Sequence, residues 1–480
     1  EFEELEKKVS AFTLDNGLRV ILYPRGDAPV VSCITYVKTG SVDEVAGITG
    51  IAHQLEHLAF KGTALIGTRD YVAEQRLFAE IDRLYRDILA FQGEVHSSAR
   101  IMLLELLAKV SSNAENAAPE KIKQQLAVLR AKWGKEGVKL TDERFTILEE
   151  LISGWAARVQ EAEKYVVQNQ YSDVISRAGG AGLNAFTSDD RTVYMVSLPA
   201  NQLELWASME SDRYMNIVPR QLEKEKQVVL EERRMRTETR AFGKLYEEFS
   251  AAAFLAHPYG VPVIGHRSDI LNYSREKVLE FYRAHYSPRN TIVAVVGKLD
   301  VEKTKELLKQ YFGKVPAAPA PDEPRTAEPK QSGERRVEVE FPAQPILMLG
   351  FHVPERNHPD TPALKVLSEV AASGRSSRFY TALVKTSKAQ SASAWIGPGE
   401  RYPRLWIASA EPSENCTLES VEADLLAEIE RLKTIPPNED ELKRIIAGYR
   451  MDVLKNLKRN MSLAIELADA EALAGDWRML

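Results

Sequence analysis

An α+β fold of two units, each a mostly antiparallel sheet packed with helices, is predicted by three features of the sequence. Its 480 residues exceed the roughly 100–200 of one domain, so two large units or three smaller ones are expected. Short β-branched runs open the chain and recur after residues 180, 290 and 345, separated by amphipathic helical stretches. After Val315, prolines at 316, 319, 321, 324 and 329 mark a semi-extended linker. Residues 1–315 therefore read as a first unit, 316–336 as the linker and 337–480 as a second unit.

The first unit starts as sheet. Residues 11–14 and 18–23 flank the turn Asp15-Asn16-Gly17 and predict a hairpin, and residues 30–37 follow with β-branched enrichment. From Thr49 the period changes: Ile51, Leu55 and Leu58, four and three apart, define one face of a helix. Between about residues 66 and 177, Leu77, Ile81, Leu84 and Ile88, then Ile122, Leu126 and Leu129, recur at helical spacing within charged sequence. A structureless loop of that length is improbable in a compact domain. A long helical insertion packing on itself and on its parent unit is expected, with a lid or partner-docking role as the alternative. Strands are expected at 183–187 and 192–198, and a long helix from 201 to about 240, kinked at Pro219. A helix over 275–284 and a strand over 291–296 complete the unit. Beyond the linker come a strand (345–351), helices (361–372 and 378–385), strands near 392–396 and 405–410, and further helices.

No run approaches the ~20 consecutive apolar residues of a membrane span, and a net charge of -6 provides no basic footprint for nucleic acid. Cys33 and Cys416 lie too far apart in sequence to form a CxxC pair or a cysteine-based zinc site. The opening EFEELEKK lacks Met and the apolar core of a signal peptide. It reads as a mature or trimmed end, which suggests export to a bacterial periplasm, with a cytoplasmic location as the alternative. Residues 463–473 read as a helix with no closing strand after it, so the second unit is expected to be truncated.

Two of the eight histidines stand four apart, in His53-Gln54-Leu55-Glu56-His57, an HxxEH string on the helix that starts near residue 49. Positions four apart differ by about 40° around a helix, so both imidazoles can reach one metal ion. Zinc takes neutral histidine nitrogen, and a catalytic site needs a third protein ligand and an open position for water. The ion lowers the pKa of that water toward ~7, and a carboxylate not bound to the metal takes the proton and passes it to the leaving amine. Glu56 is placed for that role, and HxxEH is the inverzincin signature. The plain alternative is a pair of surface histidines on a helix.

The string Gly50-Ile51-Ala52-His53-Gln54-Leu55-Glu56-His57-Leu58-Ala59-Phe60-Lys61-Gly62-Thr63 resembles the pattern of the pitrilysin or insulinase family of inverse zinc metallopeptidases. It is most similar to bacterial members close to the mitochondrial processing peptidase β subunit. Further matches are Asn184-Ala185-Phe186-Thr187-Ser188, Thr192-Val193-Tyr194, His257-Pro258-Tyr259-Gly260, Tyr286-Ser287-Pro288-Arg289-Asn290 and Val296-Gly297, so the resemblance spans nearly the whole chain outside the insertion. It implies two homologous units facing each other around a chamber, Zn2+ as cofactor and peptide-bond hydrolysis as the activity. The third ligand is implied within Glu223-Lys224-Glu225-Lys226-Gln227-Val228-Val229-Leu230-Glu231-Glu232-Arg233, at Glu232. Glu231, about 100° away around the helix, is the rival. Glu225, two turns before Glu232, is implied as a carboxylate supporting the metal site, against a plain solvated glutamate. Asn184 and Ala185 match the edge strand to which relatives add the substrate backbone as an extra strand. Alone, they read as an ordinary strand end, and Tyr194 reads as core.

The second unit departs from the family pattern. Gly374-Arg375-Ser376-Ser377-Arg378-Phe379-Tyr380 resembles a family loop after which active members carry an Arg and, seven residues later, a Tyr that bind the substrate carbonyl. Here those positions are Val384 and Ser391, and neither offers the charge or the phenolic donor that a developing oxyanion needs. The resemblance thus implies the zinc half of a two-subunit peptidase, with the missing pair supplied by a homologous subunit or by a second copy of the chain. The expected function is a zinc-dependent metalloendopeptidase for peptides or unstructured segments: His53, His57 and Glu232 hold the metal, and Glu56 is general base and then acid. A non-catalytic core or peptide-holding subunit of the same family is the alternative.

Overall fold

The computed structural model describes residues 2–91 and 97–480, and among them nine strands form two sheets. Six belong to the first sheet: β1 (Ser10–Thr13), β2 (Arg19–Pro24), β3 (Val30–Val37), β4 (Ala181–Thr187), β5 (Thr192–Pro199) and β6 (Thr291–Gly297). Their order is β1-β2-β6-β3-β5-β4, with β2 and β6 parallel and every other neighbouring pair antiparallel. Gly17 takes φ +95° in the first turn, a left-handed conformation that glycine adopts at little cost. The Asn16 amide donates to the carbonyls of Phe312 and Val315 at 2.8 and 3.0 Å, tying the hairpin to the far end of the first unit.

Strand β6 is buried along its whole length, and β3 in all but its first residue. Strands covered on both faces read as near-continuous apolar runs, which explains why TIVAVVG and VVSCITYV, with Ser32, Thr35 and Thr291 buried among them, show no alternation. Trp206, Leu308 and Phe312 pack on one face. The other is covered by Leu463, Ala464, Leu467 and Ala468 of the helix Asn460–Ala474. A helix from the end of the chain thus covers the sheet with which the chain begins. Ion pairs from Arg19 to Glu471, at 2.8 Å, and from Arg191 to Asp469 fix the returning helix in place.

The second sheet has three antiparallel strands, β7 (Leu347–Val353), β8 (Ala389–Gly397) and β9 (Arg404–Pro412), in the order β7-β9-β8. Ala408 and Ala410 of β9 share a core with Val421 and Leu425 of the helix Leu418–Thr434, while Leu405 and Ile407 pack on Val42, Phe254 and Tyr259 of the first unit. The chain is α+β in both halves, with half as many strands in the second sheet. Residues 316–346 carry no helix or strand. They are strapped down: the Glu328 carboxylate accepts from the amides of Leu255, Ala256 and His257, and Arg335 donates to the carbonyls of Ala252 and Ala253.

The insertion forms helices Tyr71–Ala90, Ser97–Ser111, Pro119–Lys135, Asp142–Glu163 and Gln170–Arg177. Leu77, Ile81, Ile88, Ile122, Leu126 and Leu129 are buried in one core with Ile51, Leu55 and Leu58, so the insertion packs directly behind the HxxEH helix. The single helix predicted from 201 to 240 is instead Leu203–Met215, Leu222–Arg233 and a π-helical turn, Arg234–Glu238. Pro219 does more than kink it: the break spans residues 216–221, and Gln221 takes φ +57°.

Candidate active site

The HxxEH string lies on the helix Ile51–Ala59. Gly50 enters it at φ +83°, where a Cβ would come within 2.4 Å of the Ile264 carbonyl oxygen, so glycine is required. The carboxylate of Glu44 accepts from the amides of Gly50 and Ala52, at 2.6 and 2.8 Å, where unpaired helix N–H groups and the macrodipole favour negative charge. Burial pushes the Glu44 carboxyl well above its usual range, against the pull of both amides. Sequence reasoning missed this cap; the available signal was an acidic residue shortly before a helix start.

His53 and His57 meet edge to face with ring centroids 4.8 Å apart. Glu232, on the helix Leu222–Arg233, places Oε2 3.6 Å from His53 Nε2 and 3.5 Å from His57 Nε2. Ligand atoms of the three residues all lie within 4.8 Å of one another. Bonds of 2.0–2.2 Å give a tetrahedron with edges of about 3.3–3.6 Å. The two imidazole-to-carboxylate separations match such edges, and the donor set, two imidazoles and one carboxylate, suits zinc with one position left for water. Glu231 faces solvent instead and pairs with Arg234 at 2.6 Å.

The surrounding groups hold this arrangement. Glu225 Oε2 lies 3.4 Å from His57 Nδ1, leaving Nε2 toward Glu232, and its Oε1 is 2.6 Å from Lys61 Nζ. Glu56 Oε2 accepts from the Thr187 hydroxyl at 2.6 Å. Neither Lys61 nor Thr187 was singled out from the sequence, although both lie inside the quoted strings; a Lys or Thr looks solvated until its partner is known. Asn184 and Ala185 sit on β4, an edge of the six-stranded sheet, with Asn184 exposed and Ala185 buried. Thr187 ends that strand, which places the open sheet edge next to Glu56. Tyr194 is core, its hydroxyl 2.8 Å from that of Tyr286. Val384 ends the π-helical turn Tyr380–Val384, and Ser391 is exposed on β8.

Charge sharpens the asymmetry of the histidines. Burial, then the neighbouring His57 charge, pushes His53 down to about 4. Burial opposes the charged form of His57 as well, but Glu225, Glu232 and Glu56 outweigh it and hold that imidazole at about 9. Burial raises Glu56 above its ordinary value while the Thr187 hydroxyl pulls it down. Glu232 is lowered, chiefly by its hydrogen bond to His57. Metal binding requires neutral imidazole, so an ion entering here would displace the proton that His57 holds.

Residues 19–132 match the family model described as Insulinase (Peptidase family M16), and residues 272–449 match Peptidase M16 inactive domain. The zinc protease PqqE of Helicobacter pylori is 32% identical over 322 residues, which is 64% of this chain and 71% of PqqE. The chain belongs to peptidase family M16, the pitrilysin/insulinase family. A crystal structure of a protease from Helicobacter pylori superposes with a TM-score of 0.72 at 24% identity, covering 97% of this chain and 90% of that one. The periplasmic protease PqqL from Escherichia coli gives 0.59 at 17% identity, with 98% and 43% covered. These likenesses show the α+β architecture of the family's two-domain peptidases.

Proposed function

We propose that this chain is a zinc-dependent metalloendopeptidase that hydrolyses peptides or unstructured segments, as the catalytic subunit of a two-subunit enzyme. The observation that carries the proposal is the convergence of His53, His57 and Glu232 to within 4.8 Å, with Glu56 beside them. His53, His57 and Glu232 would hold Zn2+, which when bound supplies polarisation of the scissile carbonyl and acidification of a water. Glu56, steadied at Oε2 by Thr187, takes a proton at its other oxygen and returns it to the leaving amine. Glu225 keeps the His57 ring oriented by standing at Nδ1. The open edge of β4, at Asn184 and Ala185, receives the substrate backbone as an added strand, with affinity supplied by main-chain hydrogen bonds.

On this reading residues 1–315 form the catalytic unit and residues 337–480 the second unit, whose last helix returns to cover the first sheet. Val384 and Ser391 leave the oxyanion side without an Arg/Tyr pair, so a homologous subunit, or a second copy of the chain, supplies it. The same two residues favour a second reading, a non-catalytic core or peptide-holding subunit, as does the match of residues 272–449 to the model described as an inactive domain. Location in a bacterial periplasm, the compartment named for PqqL, belongs to the same proposal and is tested by cell fractionation.

A mixed pool of quenched fluorescent peptides tests the function, with the zinc-loaded chain assayed alone and then with a homologue encoded beside it. Chelator-sensitive cleavage by the mixture only supports the two-subunit enzyme. Cleavage by the chain alone removes the need for a partner, and no cleavage in either case, with zinc bound, favours the holding subunit.

A further inference from the structure

We propose that Arg236 is a positioning residue for Glu232, fixing its carboxylate so that one oxygen faces the two imidazoles and the other is held away. The inference rests on the assignment of Glu232 as a metal ligand. Three arginines surround the end of the Leu222–Arg233 helix, and each takes a different partner. Arg233 donates to the Gly265 carbonyl and to Glu247, and Arg234 to Glu231. Arg236 Nη1 lies 2.6 Å from Glu232 Oε1, while Glu232 Oε2 lies between the Nε2 atoms of His53 and His57. The carboxylate is thus divided, one oxygen to each task.

Although the Arg236 side chain is 71% exposed, its backbone is fixed from two sides. The π-helical turn Arg234–Glu238 is closed by Thr239, whose amide and hydroxyl both donate to the Arg234 carbonyl at 2.9 Å. On its other side the helix Ala241–Ala253 presses onto the turn at Gly243, where a Cβ would lie 2.0 Å from the Arg236 carbonyl oxygen. Only glycine allows that contact. The wider π-helical turn sets the direction from which residue 236 reaches back to residue 232, and such turns recur at functional sites. A carboxylate with both oxygens free can rotate or chelate a metal through both. With Oε1 paired to a guanidinium, Glu232 would offer a metal ion one oxygen, which would leave a position free for water. Repulsion between the cation and the metal opposes this effect and is screened by solvent.

The test is a competitive zinc titration of the purified full chain, with far-UV circular dichroism to verify folding. Arg236→Ala is expected to weaken zinc binding by about 10–100-fold, the usual cost of losing a residue that orients a ligand. Arg236→Lys should restore part of the loss. Arg234→Ala, which removes another solvent-facing arginine from the neighbouring carboxylate of Glu231, should leave affinity unchanged. Cobalt(II) substituted for zinc adds an independent readout: its visible spectrum should shift in Arg236→Ala toward five-coordination as Glu232 chelates through both oxygens. Affinity within about threefold of wild type together with an unaltered cobalt spectrum would overturn the inference alone. A wild-type chain whose zinc affinity is insensitive to Glu232→Gln would overturn the ligand assignment and the role of Arg236 with it.

Discussion

Replacing Glu74 by glutamine, a change of one atom on the insertion, is expected to cost about 3–5 kcal/mol of folding stability, the range for breaking a buried ion pair by removing one partner. Glu74 and Arg220 have side chains 0% and 1% exposed. Arg220 grips both carboxylate oxygens, Nε to Oε1 at 2.6 Å and Nη2 to Oε2 at 2.8 Å. Its remaining donors go to the carbonyls of Lys61, Ile66 and Thr63, at 2.8, 3.3 and 2.9 Å, so all five N–H groups are used. Glu74→Gln preserves the shape but leaves that guanidinium uncompensated. Arg220→Met is expected to be worse. It strands the Glu74 charge and takes a donor from the carbonyls of Lys61 and Thr63, at about 1–3 kcal/mol each. Together these losses approach the 5–15 kcal/mol by which proteins are stable, so this variant should not accumulate folded. Urea denaturation followed by far-UV circular dichroism measures the first case: at a slope of about 3 kcal/mol/M, the Glu74→Gln midpoint falls by at least about 1 M. Asp87→Asn, breaking a surface pair with Arg83 at 4.0 Å, should change stability by under about 1 kcal/mol. A Glu74→Gln midpoint within about 0.2 M of wild type would show that the fork does not hold the loop after the HxxEH helix.

Thr187→Val should lower kcat with zinc content unchanged, because it frees Glu56 without touching a ligand, and Thr187→Ser should restore the rate; equal kcat in all three chains counts against that hydrogen bond. Peptides N-methylated at alternate backbone amides should show raised KM if substrate adds to β4 as a strand, and an unchanged KM would point to recognition by side chains alone. Burial, opposed by Arg191, raises Asp469 from 3.8 to about 6, so the folded chain holds a proton there that the unfolded chain releases. Stability should therefore fall as pH rises from roughly 4 to 6, by at most about 1.4 kcal/mol per unit from this group. Asp469→Asn should remove that slope in urea titrations, and identical slopes in both chains would contradict the shift.

The HxxEH helix, the first strands and the insertion were legible because each is set by local spacing: two imidazoles four apart, β-branched runs, apolar residues at helical period. The docking of the helix Asn460–Ala474 on the first sheet was not legible, because sequence shows continuity and not contact. Its Leu and Ala residues lie flat on β3 and β6, and its buried Asp469 and Glu471 look solvated until Arg191 and Arg19 are found 278 and 452 residues away. The same holds for Glu44, Lys61, Thr187 and Arg220, whose roles exist only through tertiary contact. The break at residues 216–221 exceeded the predicted kink because Pro219 is followed by a left-handed Gln221, a backbone choice that side-chain periodicity does not encode.

The most direct test pairs zinc content with peptide hydrolysis in Glu56→Gln, assayed in whichever form of the enzyme is active, alone or with its homologous subunit. Zinc content equal to wild type, with turnover lower by about 10²–10⁴-fold, is expected of a general base that does not bind the metal. Hydrolysis at the wild-type rate, or loss of the zinc, would contradict the assignment of Glu56 and the mechanism built on it.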